Sequence, residues 1–322
     1  MEKSGKKRLL LAVDGSEQSF EAVRYASRVL PADRLEIVLF HVVTRVPESF
    51  WDLEKEPAYH YRIVNVGGWE QEHSRLIQGF MEQAGQLLQD AGVPKDAVTV
   101  KVKDRVVGIA QDVIAESQCG YDGVVVGRRG LSELKDFVLG SIANRLVEKL
   151  AHVPVWVVGG KQTPARMLLC VDGSDNARLA VEYVGGMLDG DTALDVTVFH
   201  VIRGLSFFQQ MIGKPFSGDA QKTWAEKAEK QLAVAQSEIN AVLDDLRMTL
   251  LKAGVNPNRV AWKVATGATS RAAAILEEAE RGEYDTIVVG RRGISAIQEF
   301  FMGRVSNKVI HQARDRVVWV VS

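Results

Sequence analysis

Three glycines and a serine in the first half of the chain have the spacing of a phosphate-binding loop. They follow the apolar stretch YDGVVVG in the pattern G-x2-G-x9-G-S, with glycines at Gly127, Gly130 and Gly140 and the hydroxyl at Ser141. Glycine permits positive φ angles and lets backbone N–H groups approach an anion without a Cβ in the way. A helix that starts after such a loop presents unpaired amides and the positive end of its dipole. The pattern therefore predicts a site for a phosphate group.

Three polar residues near this loop each have a functional and a structural interpretation. Ser141 either donates to a phosphate or caps the helix that it opens. Asp14, in the V-D-G-S turn after the first strand, either accepts hydrogen bonds from a ribose or an adenine amino group or caps the following helix. His41 lies at the end of the second strand without a second histidine at metal-ligand spacing, so a structural role is favoured over acid–base or metal chemistry. No metal site formed by protein side chains is expected.

The second half of the chain repeats these features in the same order. LLLAVDGSEQSF, from Leu9, matches MLLCVDGSDNAR, from Met167, and the strand end FHVV matches FHVI. Arg304 stands where the first copy has Ser141. The glycines of the second motif are Gly290, Gly293 and Gly303. We therefore expect two related units, residues 1–160 and 161–322, with a short linker around Gly159 to Pro164 and the units docked together.

Short runs rich in Val, Ile and Leu alternate with helical periods in each unit, which is typical of a parallel sheet covered by helices on both faces. Ligands bind to such sheets outside the carboxyl ends of the strands, where the strand order reverses. Strands of the first unit are predicted near Arg8 to Val13, Glu36 to Val43, Val98 to Val102, Gly123 to Val126 and Val155 to Val158. The V-D-G-S turn and the glycine loop should therefore meet at one edge of the sheet.

The terminal strands of the two units are strongly apolar and β-branched. They cover Val153 to Val158 and Val317 to Val321. Because edge strands of this composition are rarely left open, we expect them to be covered by each other or by a second chain. Two aperiodic segments, Thr44 to Gly68 and Arg203 to Asp219, carry aromatic residues that either pack on a neighbouring face or form a lid or docking surface.

Bulk properties exclude several classes of protein. The chain has 322 residues and a formal net charge of −1 with mixed signs, so neither nucleic acid nor a membrane is an expected partner. No stretch approaches a membrane span or a signal-peptide core, which predicts a cytoplasmic protein. Cys119 and Cys170 share no metal-ligand spacing and are expected to be reduced thiols.

The V-D-G-S turn, the F-H-V strand end and the G-x2-G-x9-G-S motif, followed by V-P-V-W-V-V, resemble the universal stress protein family in its tandem-domain form. The resemblance covers nearly the whole chain, twice. It implies two five-stranded parallel sheets with helices on both faces, like those of adenine nucleotide alpha hydrolases, packed as a pseudo-twofold dimer. It also implies that ATP, ADP or AMP, with Mg²⁺ as a companion ion, binds between the first-strand turn and the glycine loop.

Carried over to this sequence, the resemblance assigns a role to each residue of the motif. In the first unit the adenine and ribose lie against Val13, Asp14 and Val42, and the phosphates against Gly127, Arg128, Gly130, Gly140, Ser141 and Ile142. In the second unit the matching positions are Val171, Asp172, Val201, Gly290, Arg291, Gly293, Gly303 and Arg304. The arginine pairs that begin at Arg128 and Arg291 either add positive charge beside the loops, face solvent or form salt bridges between the units.

Arg304 departs from the family's pattern, in which a hydroxyl stands at this position. Its guanidinium either donates two hydrogen bonds to phosphates or folds into the loop and takes the place of the anion. The sequence leaves open whether the second unit binds nucleotide.

Two functions follow. The leading hypothesis is a stress-response regulatory protein, in which nucleotide bound in the first unit changes loop packing and contacts with a protein partner. The alternative is a non-enzymatic interaction module with vestigial nucleotide sites, and a homodimer is compatible with both. The chain has no Walker G-x4-G-K-[ST] loop, partnered nucleophile or obvious metal pair, so slow ATP hydrolysis is the most that its residues support.

Overall fold

The computed structural model describes most of the chain. The described residues are 5–44, 66–130, 139–161, 163–189, 193–203, 230, 234, 237, 240–268, 270–292 and 302–322. The predicted aromatic residues of the two aperiodic segments and Gly293 lie outside them.

Within the described residues, ten strands form the core of the fold. In the first unit they are β1 (Lys7–Ala12), β2 (Leu35–Val43), β3 (Val98–Asp104), β4 (Gly123–Gly127) and β5 (Val155–Val158). In the second unit they are β6 (Arg166–Val171), β7 (Asp195–Arg203), β8 (Val260–Ala268), β9 (Thr286–Gly290) and β10 (Val317–Val321). The strands of the first unit agree with the predicted ones to within a few residues at each end.

Helices connect the strands. The first unit contains α1 (Glu17–Val29), α2 (Val66–Asp90), α3 (Ile109–Ser117) and α4 (Ser141–Lys149). The second contains α5 (Asp175–Leu188), α6 (240–252), α7 (Arg271–Arg281) and α8 (Arg304–Gln312). Short 3-10 turns precede β2, β3 and β8.

All ten strands belong to one sheet in the order β3-β2-β1-β4-β5-β10-β9-β6-β7-β8. Every neighbouring pair is parallel except β5 and β10, which are antiparallel at the centre. Each unit thus contributes a five-stranded parallel sheet, and the two are related by a pseudo-twofold. The predicted fold class and the predicted pairing of the two terminal strands are confirmed.

Alternate residues of each strand face opposite layers, as the pleat of a strand requires. Leu9 and Leu11 of β1 pack into a core formed with α1, α2, α5 and α6, whereas Leu10 packs into a core formed with α3, α4, α7 and α8. Both cores run across both units. The helices therefore cover both faces of one continuous sheet.

The junction between the units is packed by aromatic residues. Trp156 of β5 and Trp319 of β10 stack with ring centroids 4.0 Å apart and planes at 2°, and both are fully buried. Tyr25 of α1 shares a hydrogen bond of 2.9 Å with Thr286 of β9, and Tyr183 of α5 donates to the carbonyl of Asp122 at 2.9 Å. Each unit thus contributes a tyrosine that crosses to the other.

Cys119 is exposed and Cys170 is partly buried, and both are free thiols, as predicted. Among the described residues, no helix is both long and apolar enough to cross a membrane.

Candidate functional site

The carboxyl edge of the first unit's sheet holds a cavity of about 310 Å³ between β1 and β4. The strand order reverses here, since β2 and β3 lie on one side of this pair and β5 on the other. All nine residues predicted for the first site line the cavity, namely Val13, Asp14, Val42, Gly127, Arg128, Gly130, Gly140, Ser141 and Ile142. Parallel strands bring together two motifs that are more than a hundred residues apart in sequence.

The turn after β1 fixes the position of Asp14. Gly15 has a φ of 79°, a left-handed conformation that favours glycine. The amide of Ser16 donates to Asp14 Oδ1 at 3.0 Å, and Ser16 itself caps α1 by accepting a hydrogen bond of 3.2 Å from the amide of Ser19. The alternative role of Asp14 as the cap of this helix is therefore wrong, because Ser16 fills it.

The glycine loop packs closely against this turn. A Cβ on Gly130 would collide with Asp14 Oδ2, and a Cβ on Gly127 would lie 2.8 Å from the backbone of Gln18 in α1. Neither glycine has a positive φ. The expectation that these two glycines are needed for positive φ angles is thus wrong, because they are needed for close approach of the backbone to α1 and to Asp14.

The opposite wall of the cavity is the amino end of α4. Gly140 is the N-cap residue, and its amide donates to the carbonyl of Arg128 at 2.8 Å. Ser141 is the first helical residue and is exposed, so it is not the N-cap residue that the structural interpretation required. The amides of the first turn have no carbonyl one turn before them within the helix, so they can donate to an anion.

His41 supports the turn from the second strand. Its Nδ1 donates to the carbonyl of Val13 at 2.7 Å, and its ring meets Phe80 edge-on with centroids 5.0 Å apart. Burial lowers the pKa of His41 below its usual value, so the neutral form is favoured. These contacts agree with the predicted structural role. The described residues hold no group of three or more His, Cys, Asp or Glu side chains that could bind a metal ion.

The second unit has a larger cavity, of about 860 Å³, at the matching edge of its sheet. Six of the predicted residues line it, namely Val171, Asp172, Val201, Gly290, Gly303 and Arg304. Gly293 lies outside the described residues, and Arg291 does not line the cavity. His200 repeats the role of His41, because its Nδ1 donates to the carbonyl of Val171 at 2.8 Å.

The model of the universal stress protein family matches the chain twice, over residues 6–159 and 165–321. The chain belongs to the universal stress protein family. A universal stress protein of Mycolicibacterium smegmatis is 27% identical over 97% of this chain and 96% of its own length. Universal stress protein MJ0577 of Methanocaldococcus jannaschii is 27% identical over 49% of this chain and 97% of its own length. A solved universal stress protein from Archaeoglobus fulgidus, 21% identical and covering 98% of each chain, matches with a TM-score of 0.58 and shows the same fold.

Arg128 and Arg291 direct their side chains away from the cavities of this universal stress protein. Arg128 is 1% exposed, and its guanidinium donates to the carbonyls of Ile310 and Ala313, at 2.5 and 2.7 Å, at the end of α8. Arg291 is 2% exposed and donates in the same way to the carbonyls of Glu148 and Leu150 at the end of α4.

These reciprocal contacts correct all three interpretations of the two arginine side chains. They are not beside a phosphate, they do not face solvent, and their partners are backbone carbonyls of the other unit instead of carboxylates. Only the backbone of Arg128 remains beside the first cavity, where its carbonyl accepts from Gly140. Burial lowers the pKa of Arg128 to about 10, and it also lowers that of Arg291.

Sequence reasoning missed several residues that line the cavities. In the first unit these include Phe40 and His73, and in the second they include Arg271 and Lys308. Arg129 and Arg292, the second members of the two arginine pairs, line the cavities, in agreement with the prediction of positive charge beside the loops.

Arg271 directly follows Ser270, which caps a helix. This pattern in the sequence could have predicted that Arg271 lies at the start of a helix beside the cavity. The positions of His73 and Lys308 depend on packing and could not be predicted.

Proposed function

We propose that this universal stress protein binds an adenine nucleotide, with ATP, ADP and AMP as the candidates, in the cavity of its first unit. The observation that carries the proposal is the arrangement of three different surfaces around one cavity. Val13, Phe40 and Val42 supply an apolar wall, Asp14 supplies a carboxylate, and the first turn of α4 supplies backbone amides. A nucleoside phosphate needs these three surfaces in this order.

Each surface matches one part of the ligand. The apolar wall suits an adenine ring, and Asp14 Oδ2 can accept hydrogen bonds from ribose hydroxyls, since Oδ1 already accepts from Ser16. The amides and the helix dipole suit phosphate oxygens. The volume lies at the lower end of the range of about 300–1,000 Å³ that is usual for small-molecule sites. Mg²⁺ accompanying ATP would take phosphate and water oxygens as its ligands.

The proposed activity is regulatory binding, with no step of bond making or breaking assigned to the chain. Occupancy can shift the chain between conformations only if the ligand binds one of them more tightly. The glycine loop is the element that contacts both the ligand and the rest of the protein, because Gly130 lies against Asp14 while Arg129 donates its amide to Gln18 at 2.7 Å. Ligand bound there would fix this loop and the surface that a protein partner meets.

The test is calorimetric titration of the nucleotide-stripped full chain with ATP. Gly130→Ala should weaken ATP binding to the first unit by about tenfold or more, because the new Cβ displaces the carboxylate of Asp14. Gly79→Ala is the matched control, because a Cβ there meets nothing within 4 Å and the residue lies in α2. Equal affinity in both variants, or no heat in the wild-type protein, would refute the proposal.

A protein-interaction module with vestigial sites is the second candidate, and an exposed apolar segment favours it. Val106 and Val107, which precede α3, are 85% and 77% exposed, and Ile109 next to them lines the first cavity. Partner binding that is unchanged by ATP, with no ATP binding to either unit, would support this candidate instead.

A further inference from the structure

The cavity of the second unit is strongly cationic, and that of the first is not. Among the described residues, four cationic side chains and one carboxylate line the second cavity, a net charge of +3: Arg271, Arg292, Arg304, Lys308 and Asp172. In the first cavity Asp14 offsets Arg129, because the guanidinium of Arg128 is turned into the junction between the units. The two cavities have the same place in the fold and different electrostatics.

Two arginines account for most of this difference. Arg271 is the first residue of α7, and the first residue of the matching helix α3 is Ile109. Arg304 is the first residue of α8, where the matching helix α4 begins with Ser141. Both arginines therefore lie at a helix start that borders the cavity, where the helix dipole already favours an anion.

Asp172 is the one carboxylate among the described lining residues, so it offsets only one of the four cations. None of the four makes a hydrogen bond or an ion pair within the described part of the chain, and the Nε atoms of Arg271 and Arg292 are buried without a partner. The carboxylate of Asp172 accepts from the amide and the hydroxyl of Ser174, at 3.1 and 2.6 Å. Burying an N–H donor without an acceptor is unfavourable, and an anionic ligand would supply the acceptor.

The positive charge also acts on neighbouring groups. Burial lowers the pKa of His200, and the charge of Arg271 lowers it further. Burial lowers the pKa of Arg291, and the charge of Arg292 lowers it further. An anion in the cavity would relieve this repulsion between like charges.

We propose that the second cavity binds a chain of three or more phosphates in its metal-free form. Arginine donates pairs of hydrogen bonds to phosphate oxygens, and several such cations can neutralise a triphosphate as a metal ion otherwise does. Mg²⁺ removes about two charges from the ligand and occupies its oxygens, so it competes with the arginines for them. The inference extends the proposed nucleotide-binding function to the second unit and rests on it for the class of ligand.

Inorganic tripolyphosphate is the probe, because it carries the charge without the adenosine that the first cavity would recognise. The full-length protein is titrated calorimetrically in about 0.1 M salt, in EDTA and in excess Mg²⁺. Arg271→Ile with Arg304→Ser, which installs the first unit's residues, should weaken binding in EDTA by about thirtyfold or more, since each arginine contributes charge-assisted bonds. Excess Mg²⁺ should weaken binding of the wild-type protein by about fivefold or more.

Arg247→Gln with Lys252→Gln is the matched control, because it removes two positive charges from α6, which packs on the other face of the sheet. It should leave the affinity for tripolyphosphate within about twofold of the wild type, since general surface charge is largely screened beyond about 10 Å. Equal losses in the control and in the cavity variant would overturn the proposal. So would binding that Mg²⁺ strengthens, or the absence of any tripolyphosphate binding in EDTA.

A reciprocal variant keeps the test decisive if the cavity variant fails to fold. Ile109→Arg with Ser141→Arg should create tripolyphosphate binding at the first cavity, and a variant that folds without gaining it counts against the proposal. The two functions fail separately. Loss of ATP binding in Gly130→Ala reports only on the first cavity, whereas tripolyphosphate binding that depends on Arg271 and Arg304 reports only on the second.

Discussion

Gly15 and its counterpart Gly173 determine the turn that carries the aspartate of each site. Both have a φ of 79°, yet their surroundings differ. A Cβ on Gly15 would lie 2.8 Å from the ring of Phe80, whereas a Cβ on Gly173 would meet only Val242 Cγ1 at 4.0 Å. A substitution at Gly173 therefore measures backbone strain alone, whereas the same substitution at Gly15 measures backbone strain together with a steric collision.

Gly15→Ala should lower the free energy of unfolding more than Gly173→Ala does. Both variants lose about 1 kcal/mol because alanine is strained at a positive φ. Gly15→Ala should lose about 1–3 kcal/mol more, because Phe80 must move. Urea denaturation followed by circular dichroism measures both. Losses of the same size would show that the contact with Phe80 is unimportant.

One partly buried and one buried histidine, His41 and His200, should make the free energy of unfolding depend on pH. Burial lowers the pKa of His41 and of His200 below the 6.5 of an unfolded chain. The unfolded state therefore binds more protons near and below that pH, and stability falls as the pH is lowered from 7 to 5. His41→Asn with His200→Asn keeps an N–H donor for the carbonyls of Val13 and Val171 and should flatten this slope. The measurement is the urea midpoint across that range, and an unchanged slope would contradict the assignment.

At the residue scale, the motifs together with the family resemblance identified nine residues that line one cavity, because a loop and a strand end are local features. That these residues bind a nucleotide stays a prediction. The hydrogen-bond partners of the Arg128 side chain were not predictable from the sequence. One of them, the carbonyl of Ile310, is 182 residues away. It lies at the end of a helix, and no side chain there indicates that its carbonyl accepts from an arginine.

At the scale of elements, each short helix beside a cavity is held at both ends. Helix α8 begins at the second cavity with Arg304 and ends where its last carbonyls accept from Arg128. Helix α4 begins at the first cavity with Ser141 and ends against Arg291. A cation at a helix carboxyl end satisfies free carbonyls and complements the dipole. The loop of each unit thus holds the carboxyl end of the helix that borders the cavity of the other unit.

Arg128→Lys should lower the free energy of unfolding by about 2 kcal/mol, because an ammonium cannot donate to two carbonyls in the fixed geometry of a guanidinium. Arg129→Lys is the neighbouring control. Arg129 is exposed, so its replacement should change stability by no more than about 0.5 kcal/mol. Chemical denaturation of both variants measures the difference. Equal stabilities would mean that the buried contacts of Arg128 contribute nothing to folding.

Element boundaries were predictable where a glycine bounds an apolar run, as in β4. Gly92 marks the end of α2 in the same way, and its φ of 90° is a conformation that favours glycine. The same reasoning failed to define what the glycines do. The contacts of Gly127 are with α1, and its place against that helix arises only when the strands assemble.

At the scale of the whole molecule, the antiparallel pairing of β5 with β10 converts two five-stranded sheets into one. Val157 pairs with Val318 and Trp156 with Trp319. The apolar, β-branched composition of these strands predicted the pairing, since an open edge of this kind would invite aggregation. The stacking of Trp156 on Trp319 was not predictable, because it depends on the register between β5 and β10, and composition does not determine a register.

The central strands should exchange their amide protons slowly. Amides of β5 and β10 should be protected as strongly as those of β1 and β6, because pairing and burial prevent local opening. Strand β3 is the internal comparison, as it forms one edge of the sheet and exposes Val100 and Val102. Hydrogen exchange followed by mass spectrometry gives the result. Exchange of β5 as fast as that of β3 would contradict the central pairing.

Two units with one fold have thus acquired different cavities, and we propose that the first binds an adenine nucleotide. The most direct test is a crystal structure of the full chain with ATP at saturating concentration. We expect the adenine ring to lie against Val13 and Val42, the ribose beside Asp14, and the phosphates on the amides that begin α4. An empty first cavity, or a nucleotide whose phosphates lie away from Ser141, would contradict it.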